Sequence, residues 1–262
     1  MSLSAARTET RAIRIIWALP LGYGLLCLAL WAGSAPLPQD PAYHLFADTR
    51  SLWGLPNFAD VVSNGVFLLA GLLGLWPLIQ PAGGRLAGRE GTAPLALFFT
   101  AVALTTFTSA YYHLAPDNAR LVWDRVTLAT ATTLLPVILL PRGVGTAPSL
   151  WLAKALWVAA GPLSALLWYA SEAGGDGDLR FYSLAQGYAM LMALICLFAF
   201  PAHRPHRPWV LAAFAAYLLA RATEVWDQPI FAALQLVSGH TLKHLLMGLA
   251  VALLARLARP AR

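Results

Sequence analysis

Apolar positions in this 262-residue chain do not alternate with polar ones at helical or strand spacing but run together in long stretches. Eight such runs stand out, at roughly 13–32, 58–79, 93–113, 121–141, 150–170, 181–200, 208–223 and 238–257. A helix rising about 1.5 Å per residue needs about 20 mostly apolar residues to cross about 30 Å of hydrocarbon. Each run therefore predicts a membrane-spanning helix. The seventh is the shortest and ends among Arg221, Glu224 and Asp227. Short connectors rich in Pro, Gly and charge separate the runs, as at 81–85 and 174–178. The fold class this predicts is an all-α integral membrane bundle.

Composition narrows the class. Hydrophobic residues make up 59% of the chain and charged residues 11%, against about 25% charged in a typical soluble domain. Mean hydropathy is +0.63. An ordinary soluble globule and a disordered chain are both excluded. The net charge is +6, but the basic residues are spread between apolar runs, so no nucleic-acid partner is expected. Cys27 and Cys196 lie inside apolar runs and offer neither a disulfide framework nor a Cys-rich metal site.

The placement of the basic residues predicts sidedness. The N-terminal tail carries Arg7, Arg11 and Arg14, every second loop carries Arg85 and Arg89, then Arg142, then Arg204 and Arg207, and the C-terminal tail carries Arg256, Arg259 and Arg262. The alternate loops carry Asp40, Asp48, Asp117, Glu172, Asp176 and Asp178. Basic loops stay in the cytoplasm, so both termini are expected there. The Ala-, Leu- and Arg-rich, Lys-poor composition points to a bacterial inner membrane. The first run also has the form of a signal peptide, but Pro36 directly after Ala35 argues against cleavage at that point.

Ionisable residues inside spans are costly and tend to line a site. Ser109 and His113 end the third run four residues apart, on one helix face. A short connector then forces an antiparallel hairpin, and Asp124 near the start of the fourth run can face back toward them. His240 and His244 open the eighth run, again four apart. By the predicted topology all five reach one depth, at the outer side. Three neutral imidazoles with an open fourth position form a catalytic zinc arrangement, in which a bound water acidifies to a pKa of about 7. A carboxylate beside it can move the water's proton, and a hydroxyl can donate to a developing oxyanion.

Each residue alone has a plainer reading. Single histidines at helix ends are more often packed interfacial residues than ligands, and His44, His203 and His206 are read that way. A lone His-x-x-x-His is a weak metal signal. A serine in a span usually serves helix packing, and Asp124 beside Arg125 fits an interfacial ion pair. The convergence of five residues at one depth is what favours a site.

At these positions the sequence resembles the alkaline ceramidase family, within the CREST group of membrane hydrolases. Ser109 and His113 match its Ser-x3-His motif, Asp124 its aspartate eleven residues later, and His240 and His244 its late His-x-x-x-His. Ser63 and Asn64 match a Ser-Asn pair of the first core helix, and Asp227 resembles a further family position. The likeness covers about 55–250. It implies a seven-helix catalytic bundle over 55–262, with 1–54 holding the tail, an extra transmembrane helix and an outer loop. It also implies that His113, His240 and His244 bind zinc, Asp124 is the acid/base and Ser109 assists at the oxyanion. The substrate would be ceramide or a related N-acyl lipid taken from the bilayer. An acidic, calcium-binding cluster of the eukaryotic members is mostly missing. Asp48, Asn57 and Asp60 remain, few for an ion that takes six to eight oxygens, which puts calcium binding in doubt.

Other readings stay open on the residues alone. A CREST-type ester hydrolase acting on phospholipid would need the same activated water. Haem held by His113 with His240 or His244 would leave Ser109, Asp124 and one histidine unexplained. A retinal protein would use Lys243 as its Schiff-base residue with Asp124 as counter-ion. A receptor or scaffold with a structural zinc would bind metal without turnover.

Overall fold

The computed structural model describes residues 3–80, 92–141, 144 and 147–258. Among the described residues the chain is all-helical with no strand. Its helices are α1 (Leu3–Gly33), α2 (Phe58–Ser63), α3 (Gly65–Ile79), α4 (Thr92–Leu114), α5 (Asn118–Ile138), α6 (Pro148–Ala173), α7 (Arg180–Ala199), α8 (Arg207–Val225), α9 (Asp227–Leu234) and α10 (Gly239–Leu254). Arg85, Arg89, Arg142, Arg259 and Arg262 and the connector 81–85 lie outside the described residues.

Among the described residues seven segments are long and apolar enough to cross a membrane: Ala5–Gly33, Phe58–Ile79, Thr92–Leu114, Asn118–Ile138, Pro148–Ala173, Arg180–Ala199 and Gly239–Ala258. By length and composition the chain is a multi-pass membrane protein. The short seventh run of the sequence behaves differently. Pro201–Val225 and Asp227–Leu234 pass the test only together, bent by 78°. Pro229 explains the break: it has no N–H to give the Val225 carbonyl, and its ring would clash with that carbonyl in a continuous helix. In the first turn of a new helix the same proline is tolerated. Many large apolar side chains, such as Leu28, Leu69, Trp76 and Leu167, are exposed, as the lipid-facing side of a membrane bundle requires.

Contacts cluster into two units. The first comprises Met1–Gln39, Gly88–Phe98 and Ala129–Pro205. In it α1 packs on α6 and α7. α1 begins well before its apolar run because its polar first turns find partners: Arg11 Nη1 donates to the Ala199 carbonyl at the end of α7 (2.7 Å). At the opposite end Arg180 donates to the Leu30 carbonyl (2.9 Å) and pairs with Asp178 (2.7 Å). α1 and α7 therefore run antiparallel. Pro162 inside α6 leaves the Val158 carbonyl without its helical donor, and the Thr133 hydroxyl comes within 3.2 Å of it.

The second unit comprises Asp40–Ala87, Phe99–Leu128 and His206–Arg262. α10 is its axis, packed against α2, α3, α8 and α9. Gly239 opens α10 because a Cβ there would collide with the Thr223 carbonyl and the Asp227 backbone. Ser238 caps the helix, its hydroxyl accepting from Thr241 N at 3.0 Å. The α4–α5 hairpin turns at 115–117, where the Asp117 carboxylate accepts from Arg120 N at 2.7 Å.

A strap, 40–57, precedes α2. Asp40 caps a short 3₁₀ turn, Pro41–His44, by accepting from Ala42 N. Trp53 and Gly54, with φ of 52° and 78°, form a two-residue reversal closed by reciprocal Leu52 and Leu55 backbone hydrogen bonds. Arg50 anchors the strap by donating to the carbonyls of Gln235 and Leu236 at 3.2 and 2.8 Å.

Candidate metal centre

The five residues singled out from the sequence all lie in the second unit and all are buried. His113 comes from the last turn of α4, His240 and His244 from the first turns of α10. One potential ligand atom from each histidine lies within 4.8 Å of the others, and this cluster can hold a metal ion. The ring centroids are 4.8 to 5.0 Å apart, each pair steeply inclined. Nitrogens sharing a tetrahedral zinc at about 2.0–2.1 Å sit roughly 3.3 Å apart, within reach of small side-chain rotations. Ser109, one turn before His113 on α4, and Asp124, in the first turns of α5, are both buried and interact with each other.

His113 Nδ1 and Asp124 Oδ1 are among the buried atoms that lack a protein partner. Such groups are rare in folded interiors and ask for a ligand. An imidazole nitrogen and a carboxylate oxygen are of the types that suit a cation and a water. The residues present thus fit a metal.

Partners around the triad fix its orientation. Ser63 Oγ donates to the Asp60 carbonyl (3.1 Å) and lies 2.7 Å from His244 Nδ1. Its one proton being used, it accepts from Nδ1–H, which leaves Nε2 of His244 as the ligand nitrogen. Asn57, in the left-handed region (φ 46°), donates to the His113 carbonyl at 2.8 Å. Asp227 accepts from the His240 backbone N–H at 2.7 Å and from Ala47 N at 2.9 Å, so one carboxylate ties the strap to the start of α10. Phe46 from the strap packs 4.7 Å from His113 and 4.6 Å from His240, centroid to centroid, and covers the triad with an apolar ring.

Other residues around the chain have partners outside the triad. Tyr112 is buried, whereas the aromatics Tyr111, Trp123 and Trp226 are exposed. Its hydroxyl meets His44 Nδ1 at 2.9 Å, and His44 Nε2 meets Asn118 Oδ1 at 3.0 Å. His203 Nε2 contacts the Leu139 carbonyl at 2.7 Å. Asp48 is engaged by Arg50 through two oxygens, at 2.8 and 2.7 Å, and Asp60 accepts from Thr241 (2.6 Å) and Ser238 (3.3 Å). Sequence reasoning passed over Phe46, and gave Lys243 a place only as a Schiff-base residue. Its Nζ lies 2.8 Å from Glu224 Oε1 and 3.2 Å from His240 Nε2. The available signal was an ionisable residue one turn into a span, between two histidines.

Comparison with known protein families, with curated proteins and with solved structures finds no match to this chain.

Proposed function

We propose that the centre holds zinc and that the protein is a membrane-embedded hydrolase of lipid amides, of the alkaline ceramidase type. The observation that carries this reading is the buried triad His113, His240 and His244, with buried Ser109 one turn before His113 on α4 and interacting with Asp124. Zinc held by three imidazoles supplies Lewis acidity and a water acidified to a pKa of about 7. Asp124 would take the proton of that water and return it to the departing amine. Asp124, once protonated, would donate to Ser109, whose own single proton would then turn to the carbonyl oxygen as charge develops there. Ser63 would hold His244 in its ligand tautomer, and Phe46 would keep bulk water from the reacting atoms.

Helices that bury these groups within membrane-spanning segments favour a substrate that partitions into lipid. The scissile bond would lie near the head-group boundary, with the acyl chain among apolar helices. Amide over ester rests on the family resemblance. The arginine pattern supports a bacterial inner membrane, cytoplasmic termini and a site opening outward. Cysteines introduced at Asp117 and Asp176 should then react with an impermeant reagent on intact cells.

Purified protein incubated with labelled ceramide and, separately, with labelled diacyl phospholipid tests the reaction. Fatty acid released from ceramide supports the amidase reading. Release only from phospholipid replaces it with an esterase. Release from neither, in protein carrying about one zinc, overturns the hydrolase reading on these lipids.

A further inference from the structure

Lys243 Nζ is 3.2 Å from Nε2 of His240, a histidine of the triad, and 2.8 Å from Glu224 Oε1. Both Lys243 and Glu224 are largely shielded, with side-chain exposures of 13% and 10%. An ammonium has three donors and no acceptor, and a neutral imidazole has one lone pair. The contact between Lys243 and Nε2 therefore uses the only lone pair His240 has. A metal ion needs that same lone pair, because a neutral imidazole whose Nε2 accepts from Lys243 presents N–H at Nδ1.

We propose that Lys243 is an internal competitor for the metal, its ammonium shared between His240 and Glu224. When the lone pair of His240 goes to the metal, the ammonium is held by Glu224 alone. Glu224 is built for that part. Its carboxylate also pairs with Arg221 and faces the Tyr43 hydroxyl at 3.5 Å, so it stays anchored on α8 while Lys243 gives up His240. Lys243 thus sets how tightly the centre holds its metal without being a ligand. This rests on the metal-binding reading above.

The test is the affinity of purified, detergent-solubilised protein for Zn2+ alone, by competition with a chelating indicator. Lys243→Met should tighten binding by about tenfold or more, and Glu224→Gln should weaken it. Loss of a nearby positive or negative charge would give the same two signs, so the deciding variant is the double Lys243→Met/Glu224→Gln. It removes one charge of each sign and leaves no buried ion unpaired by the change. Competition for the lone pair predicts that it still binds Zn2+ several-fold tighter than the wild type. An unchanged or weaker affinity in the double variant, with the wild type binding about one Zn2+, overturns the proposal and leaves the metal centre standing. A wild type that binds no Zn2+ overturns both.

Discussion

Ser63 Oγ meets His244 Nδ1 at 2.7 Å, and the same hydroxyl donates to the Asp60 carbonyl at 3.1 Å. A serine on α2 thereby decides which nitrogen a histidine on α10 offers. Outer partners of this kind typically contribute 10–100-fold to metal affinity. Ser63→Ala should lower Zn2+ affinity by about that factor, read by chelator competition, while helix content by circular dichroism stays unchanged. Unaltered affinity would mean that packing, including Phe67 at 5.7 Å from the ring, orients His244 unaided.

Asp124 is assigned a proton-moving role and no metal bond. Asp124→Asn should therefore keep its zinc but lose about 10²–10⁴-fold in turnover. Ser109→Ala should lose up to a similar factor. Metal analysis beside single-turnover kinetics checks both. Loss of zinc from Asp124→Asn would make the carboxylate a ligand.

Asp227 holds two backbone donors from distant parts of the chain, Ala47 N and His240 N. Asp227→Ala leaves both without their acceptor, at about 1–3 kcal/mol for each donor that stays buried. Its thermal unfolding midpoint should fall, and the strap should be cut by protease sooner than in the wild type. Equal protease resistance would show that Arg50 and His44 hold the strap by themselves.

Arg50 hydrogen bonds hold the Asp48 carboxyl below the usual carboxylate range, against the opposing effect of burial. A carboxylate whose folded pKa is depressed contributes stability above its unfolded pKa of about 3.9, and loses it as pH falls through the folded value. Arg50→Gln should therefore be less stable than the wild type at neutral pH, and the gap should close on acidification below about pH 4. Thermal unfolding of both proteins from pH 7 to pH 3 measures it. A gap that is constant with pH would assign the Arg50 contribution to the Gln235 and Leu236 carbonyls.

Much of this molecule was legible in the order of its residues. Long apolar runs leave the backbone no partner but itself in lipid, so they fix helices, and the eight runs correspond to the seven spans and the bent α8–α9 pair. Helical periodicity put Ser109 with His113 and His240 with His244 on common faces before any packing was known, and the short turn after α4 aimed Asp124 back at them. What periodicity cannot carry is which distant elements meet. The strap holds few residues that announce a role, yet it delivers Phe46 to the triad and Ala47 to Asp227. Tyr112 looked like its neighbour Tyr111 in sequence and differs only in the face of α4 it occupies. Lys243 read as an isolated charge until α8 brought Glu224 to 2.8 Å from it. Local rules follow from backbone geometry and solvent. The partners of His240, His244 and Lys243 come from residues 13 to 181 positions away or on the far side of a helix turn, and only tertiary packing decides those.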